Sequence, residues 1–402
     1  MKYIMLVGDG MADRPIKELD NLTPLAAART PNMDYIAKNG MVGNAITVPE
    51  GLQAASDVAN TALLGYDPAQ YYCGRGPLEA ANMGIEIKDN EVAFRCNTVT
   101  ISDDKMADYS AGHITTKESR RIIPVLGKEL RSRAVKLYPG ISYRHLAIID
   151  CVEAGFEKEA LVKTICTPPH DILDRPISRY LPRGQAGVFL TDIMVRSKNI
   201  LEKHDINKVR IDLKENPANM IWLWGQGVKP VMPLFKDKFG VSGSIISAVD
   251  LINGLGKIIG LRPIDVPGAT GYYDTDYSAK ARYALRSLES RDFVFVHVEA
   301  PDEAGHNGDL KQKISAIENF DKFVVGDILN AFRQSGDFRI IVLPDHATPL
   351  SLRTHTREPI PFAICGKGIE KDDIETYSEQ SVRCSRLFIK DGFRIMELLL
   401  NK

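Results

Sequence analysis

Short, wholly apolar runs alternate along this chain with longer stretches in which apolar positions recur every three or four residues. The runs YIMLV (3–7), FVFVHV (293–298) and RIIVL (339–343) are too short for helices. They read as buried strands, each ending in a polar loop. Helical spacing marks TPNMDYIAKNG (30–40), with proline in its first turn and glycine after its end. It also marks the segment that follows Ser56, an apolar-periodic run to Leu64 closed by Gly65 and Pro68. Beyond residue 85 the texture changes. Strand-like FRCNTVTI (94–101), ISYRHLAIID (141–150) and LVKTICT (161–167) alternate with the helical stretches KESRRIIPVLGKEL and GVFLTDIMVRSKNILEKH. Trp222 and Trp224, in ANMIWLWGQG, read as core or interface aromatics. From Val241 the first texture returns, carried by SIISAVDLINGLGKIIGL.

This order predicts an α/β protein in two domains. A mostly parallel sheet sandwiched by helices is expected from residues 1–85 plus 241–402, with a smaller α/β domain of residues 86–240 inserted. No internal repeat, low-complexity tract or amphipathic membrane segment shows in the pattern.

Composition narrows the range of partners. The chain has 402 residues, 44% of them apolar, enough for two cores. A formal net charge of −1 gives no basic field for nucleic acid and no acidic tail. Any small anionic ligand must then be held by local cations. Arg95, Asn97, His113, Arg144, His170, Arg175 and Arg183 gather at loop positions of the insert, though each alone reads as an ordinary solvated surface group. Cys73, Cys96, Cys151, Cys166, Cys365 and Cys384 are scattered without a CxxC pair, as in reduced thiols of a cytoplasmic protein. The first apolar run is too short for a signal peptide or a membrane span. A cytoplasmic protein with no membrane, nucleic-acid or obligate protein partner is expected.

The chemistry concentrates where the predicted strands end. Asp9 follows the first run. Asp302 and His306 follow the second, and Asp345 and His346 the third, with His355 a little further on in PDHATPLSLRTH. In an open parallel sheet, ligands bind just beyond the carboxyl ends of the strands. Carboxylates mixed with imidazoles suit Mn, Zn, Fe or Co better than Ca or Mg alone. A single Asp-His pair is ordinarily a hydrogen-bonded core histidine; its recurrence on consecutive strand ends argues for metal. Ser56 stands at a helix start, where position alone favours a capping role. Beside metal, at the positive end of a helix, its hydroxyl becomes a nucleophile toward phosphorus. If these residues converge, three carboxylates and a serine alkoxide neutralise two divalent ions, and such a site accepts a phosphate dianion.

GDGMADRP, EGLQAASDVANTALLGYDP, GRGPLEAANMGIE, EAPDEAGHNGD and PDHATPLSLRTHTREPIPF resemble the archaeal-type cofactor-independent phosphoglycerate mutases, of the alkaline phosphatase superfamily. FRCNTV, YSAGHI, SYRHL and PPHDI carry the likeness through the insert, so it covers nearly the whole chain. The resemblance implies an alkaline-phosphatase-like fold and interconversion of 3-phosphoglycerate and 2-phosphoglycerate, a small phosphorylated substrate, through a phosphoserine. It implies two divalent ions, manganese first with zinc, cobalt or magnesium as alternatives, and no 2,3-bisphosphoglycerate. One ion would be held by Asp302, His306 and His355, the other by Asp9, Ser56, Asp345 and His346, with Ser56 the nucleophile. His113, Arg144, His170 and Asp171, in the matching motifs of the insert, would bind substrate. LQAASD departs from the Pro-Pro-Gly of many relatives but keeps the serine. NPANMIWLWGQG resembles as well a related phosphotransferase proposed to phosphorylate homoserine, and a plain phosphomonoesterase would use the same ligands. The three readings differ in what accepts phosphoryl from Ser56.

Overall fold

The computed structural model describes residues 1–130, 132–334 and 336–400. Its strands are β1 (Lys2–Gly8), β2 (Gly40–Ala45), β3 (Glu91–Ser102), β4 (Lys105–Asp108), β5 (Val135–Ile141), β6 (Arg144–Asp150), β7 (Met220–Gly227), β8 (Gly243–Ile246), β9 (Arg262–Pro263), β10 (Phe293–Val298), β11 (Phe338–Leu343), β12 (Ile360–Gly366) and β13 (Phe388–Ile389). They fall into two compact units, residues 1–72 with 231–402 and residues 73–230.

The first unit holds a sheet in the order β13-β2-β12-β11-β1-β10-β8-β9. β1 runs parallel to β10 and β11, and β8 and β9 continue the parallel set beyond β10. β12 alone breaks it, antiparallel to both β11 and β2. The central strands are covered on both faces: Ile4 and Leu6 point one way, Met5 and Val7 the other, and all are fully buried. Two covered faces explain why these strands read as unbroken apolar runs.

The second unit has an antiparallel sheet, β4-β3-β6-β5, with β7 on β3 as well. One face packs Val92, Phe94 and Cys96 among residues of the helices Thr116–Leu130 and Gly187–Leu201. The other packs Ala93, Leu146 and Ile148 against Ala80 of the helix Arg75–Met83. That helix, grouped from sequence with the first domain, belongs to this unit; residues 231–240, grouped with the insert, belong to the first. Gly76 accounts for the close fit of the helix on β3, since a Cβ there would lie 2.4 Å from the Ala93 carbonyl oxygen.

Two expected strands are corrected. Residues 141–150 form a hairpin corner rather than one strand, because Ser142 takes a φ of +54° between β5 and β6. Its turn is held from outside, the Ser142 amide donating to Thr116 Oγ1 and its hydroxyl to the Ile114 carbonyl. Residues 161–167 complete a short helix, Lys158–Val162, and keep only an isolated bridge from Ile165 to Arg183. A short apolar run cannot distinguish a strand from the end of a helix by period alone. Among the described residues no helix is long and apolar enough to cross a membrane.

Candidate active site

Three neighbouring parallel strands of the first unit end side by side. β1 delivers Asp9. β10 leads into the helix Ala300–Asn307, which carries Asp302 and, one turn on, His306; β11 stops just before Asp345 and His346. Gly10, at φ +59°, lets the backbone pass so close that a Cβ would lie 2.4 Å from Asp302 Oδ1. Ser56 opens the helix Ser56–Leu63, whose N-cap position is filled by Ala55 without any side-chain cap. The serine hydroxyl is therefore not a cap. It lies 3.0 Å from His346 Nε2.

Candidate ligand atoms of Asp302, His346 and His355 lie within 4.8 Å of one another, and so do those of Asp9, Asp345 and His346. His306 Nε2 stands 3.2 Å from Asp302 Oδ2 and 2.9 Å from His355 Nε2. All seven residues expected in the cluster are thus brought together, and His346 borders both sets.

Hydrogen bonding on the far side of each ring fixes its tautomer. His306 Nδ1 faces the Arg353 carbonyl at 3.0 Å and His355 Nδ1 the Ala54 carbonyl at 3.3 Å. A carbonyl only accepts, so both Nδ1 atoms carry hydrogen. Thr348 Oγ1 gives its hydrogen to Asp302 Oδ1 at 2.5 Å and hence accepts from His346 Nδ1 at 3.2 Å. In their neutral forms all three rings turn a bare Nε2 lone pair inward. Two such lone pairs facing at 2.9 Å repel unless a proton or a cation lies between them.

The carboxylates make the same demand. Burial, then the like charges of Asp345 and Asp302, hold Asp9 well above the usual carboxylate range. Its Oδ1 is buried without a hydrogen-bond partner. Burial and the neighbouring His355 and His306 hold His346 down at about 4 against the pull of Asp345, which leaves it neutral near pH 7. Burial opposes charge on His306 too, but the bond to Asp302 outweighs it and lifts His306 to about 9. Crowded carboxylates, an orphan acceptor and inward lone pairs fit divalent cations.

The sequence profile of a family described as 2,3-bisphosphoglycerate-independent phosphoglycerate mutase matches residues 37–207. A Methanothrix thermoacetophila protein of that name is 50% identical over 402 residues, 100% of both chains. The chain belongs to this family. Members are isomerases, and so is this enzyme. Among solved structures, a Pyrococcus horikoshii protein matches with a TM-score of 0.82 and 30% identity, covering 100% of this chain and 98% of that one. The cofactor-independent phosphoglycerate mutase of Thermoplasma acidophilum matches with a TM-score of 0.66 and 25% identity, over 100% and 99%.

An enzyme of this family handles anions, and the second unit contains a cationic cluster centred on Trp224. The Arg95 guanidinium lies 4.9 Å and the Arg75 guanidinium 5.3 Å from the indole centroid. The His170 ring meets it edge-on at 5.3 Å. Arg95 is only 7% exposed. Burial holds its pKa below the usual value; Glu79, 3.9 Å away, opposes this while Arg75 and Arg144 add to it. Of the residues expected to bind substrate, Arg144 and His170 adjoin this cluster. His113 is linked to it through the rings of Tyr143 and Tyr109, and exposed Asp171 sits 3.6 Å from His170. Trp224 is therefore a platform for cations, not simply a core aromatic, and Arg75 was not singled out by the sequence.

Behind the candidate ligands the structure adds Asn60, Lys280, His297, Glu299 and Thr348, none of which the sequence reading assigned. A signal existed. It lay in two of them: His297 is the one polar residue of FVFVHV and Asn60 falls within the mostly apolar VANTALL, and a polar group buried that way needs a partner.

Proposed function

We propose that the chain interconverts 3-phosphoglycerate and 2-phosphoglycerate through a phosphoserine on Ser56. The observation that carries this reading is the Ser56 hydroxyl. It is half-buried at a helix start, unused as a cap, and 3.0 Å from an imidazole nitrogen amid three buried carboxylates. Two divalent cations, one at Asp302, His306 and His355 and one at Asp9, Ser56, Asp345 and His346, would lower the serine's pKa and offset the phosphate charge. The mixed imidazole and carboxylate set suits manganese, zinc, iron or cobalt, and of these the family resemblance puts manganese first.

In the first half-reaction Ser56 Oγ gives up its proton and bonds to phosphorus. The bond from phosphorus to the substrate oxygen breaks, and that oxygen takes a proton as a glycerate hydroxyl. Glycerate stays bound and turns. In the second half its other hydroxyl loses a proton and attacks the phosphoserine, and Ser56 Oγ leaves and is protonated again. Water must be kept out between the halves, or the phosphoserine hydrolyses. The first unit is proposed as the metal-binding domain and the second as the substrate-binding domain. Support for the latter comes from the Arg75 and Arg95 guanidinium groups gathered at Trp224, with Arg144 near Arg95, since guanidinium donors suit an anion. Cys73, Cys96, Cys151, Cys166, Cys365 and Cys384 form no disulfide among the described residues, and reduced thiols suit a cytoplasmic setting.

An enolase-coupled assay of 3-phosphoglycerate, with and without Mn²⁺, tests the reading. Turnover that needs metal but not 2,3-bisphosphoglycerate is the expected result. Free phosphate as the main product would identify a phosphomonoesterase instead, and phosphoryl transfer to homoserine a kinase-type relative.

A further inference from the structure

The reaction outlined above leaves unused a second layer of polar groups lying behind the candidate ligands. Asn60 and His297 are both 0% exposed. Asn60 sits one turn after Ser56, and its Nδ2 donates to the Ser56 carbonyl at 2.8 Å and to Asp345 Oδ2 at 2.7 Å. One amide group thus joins the residue that bears the nucleophile to a carboxylate on a strand end. His297 approaches from the sheet. Its Nε2 lies 3.4 Å from Asp9 Oδ2 and 3.7 Å from Asp345 Oδ2, and its Nδ1 lies 3.2 Å from Glu299 Oε1.

Glu299 is itself pinned on both oxygens. Oε2 takes Lys280 Nζ at 2.5 Å, while Oε1 takes the Ala248 amide at 2.7 Å and Ser247 Oγ at 2.9 Å. Lys280 Nζ also donates to the His297 carbonyl at 2.8 Å, closing the loop. Burying a lysine, a glutamate and a histidine together is costly, and apolar residues of the same volume often stabilise a fold as well or better. Fold stability alone is a weak reason for such a chain. Its contacts end on the Oδ2 atoms of Asp9 and Asp345, and the donors of those contacts cannot swing away without breaking bonds of their own.

We propose that Asn60 is a positioning residue that sets Ser56 against Asp345, and that His297, braced by Glu299 and Lys280, fixes the Asp9 and Asp345 carboxylates from the strand side. The inference rests on Ser56 as nucleophile and on those aspartates as metal ligands. A positioning role and a purely structural one predict different measurements. Groups that orient ligands change metal affinity and kcat while leaving KM nearly constant; groups that only stabilise change the melting temperature.

The test titrates metal-free protein with Mn²⁺ alone by calorimetry and measures kcat and KM in parallel. The variants are Asn60→Ala, His297→Leu and His297→Gln. Asn60→Ala and His297→Leu are expected to weaken Mn²⁺ binding about 10–100-fold and to lower kcat with KM changed less than about threefold. His297→Gln, whose amide nitrogen reaches the place of the ring Nε2, is expected to recover most of the affinity. A folded Asn60→Ala protein with wild-type Mn²⁺ affinity and kcat would overturn the proposal. Should Asn60→Ala not fold, the His297 pair decides: leucine and glutamine variants with the same affinity as each other overturn it, and recovery by glutamine alone upholds it. Wild-type protein that binds no Mn²⁺ would instead remove the metal reading underneath, a result distinct from unaltered variants of a metal-binding enzyme.

Discussion

The first unit gathers negative charge and the second gathers positive, and the two sheets explain how each does so. Where strands run parallel, β11, β1 and β10 all finish at one edge, so Asp345, Asp9 and Asp302 meet although far apart in sequence. Short side chains suffice there because the backbone has already done the positioning. An antiparallel sheet sends alternate strand ends to opposite edges, and no such convergence is available to the second unit. Its cluster is assembled instead by long side chains, with Arg75 and Arg95 reaching one indole on β7. Cation–π contact and bidentate donation make arginine suited to that task. The carboxylate cluster is thus tied to backbone geometry, and the cationic cluster to side-chain reach.

The contrast is broken most sharply at Ser56. Ser56→Ala should lower mutase turnover by several orders of magnitude with the melting temperature nearly unchanged, since Ala55 holds the cap position. Near-normal turnover in that variant would move the nucleophile elsewhere. Removal of metal comes next. Dialysis against EDTA should abolish activity, and Mn²⁺ or Co²⁺ should restore it better than Ca²⁺. Metal at ~100 times its Kd should add about 2.7 kcal/mol, with amide-exchange protection confined to the first unit. Equal protection of both units would erase the distinction.

Lys313 offers a probe of the first unit's scaffold. It is fully buried, with Nζ 2.7 Å from Asp13 Oδ2 and 2.8 Å from the carbonyl of Thr348, the residue that orients His346 and Asp302. Lys313→Met should cost about 3–5 kcal/mol in urea unfolding, because it leaves Asp13 buried and unpaired. In the second unit, Arg95→Met should raise KM for phosphoglycerate about 10–100-fold and leave Mn²⁺ affinity alone. A change in metal binding instead would show the charge clusters to be coupled.

The smallest effect concerns acid. His145, buried in the second unit, accepts the Gly140 amide on Nδ1 at 3.1 Å, and burial lowers its pKa from 6.5 to about 3. The folded state keeps it neutral while the unfolded chain protonates below about 6.5, so stability falls as the pH drops through that range. At pH 5 the loss should be about 2 kcal/mol. His145→Gln should flatten that slope for the second unit, as followed by amide exchange.

Much of this architecture was legible because β1, β10 and β11 are buried on both faces and their sequences carry little else. The aspartates that follow them could be read as strand-end groups for the same reason. What escaped depended on partners distant in sequence. Ser142 turns the chain because Thr116 and Ile114 hold it, and nothing in ISYRHL announces the corner. His297 and Asn60 are polar residues within mostly apolar runs, but only the folded chain shows that both look toward Asp345. Arg75 lay in a helix whose allegiance to the second unit the sequence did not reveal.

The strand at the middle of the first sheet also precedes both its sheet neighbours along the chain by a wide margin. β1 ends at Gly8, and its neighbours β10 and β11 lie at residues 293–298 and 338–343. The second unit, one uninterrupted stretch from 73 to 230, is complete in between. At ~5–20 residues per second the wait lasts roughly a quarter of a minute to a minute. Throughout it, YIMLV has no neighbouring strand and presents a bare apolar edge to solvent. β1 thus waits unpaired, and translation products truncated before β10 should aggregate through it even where the second unit has already folded.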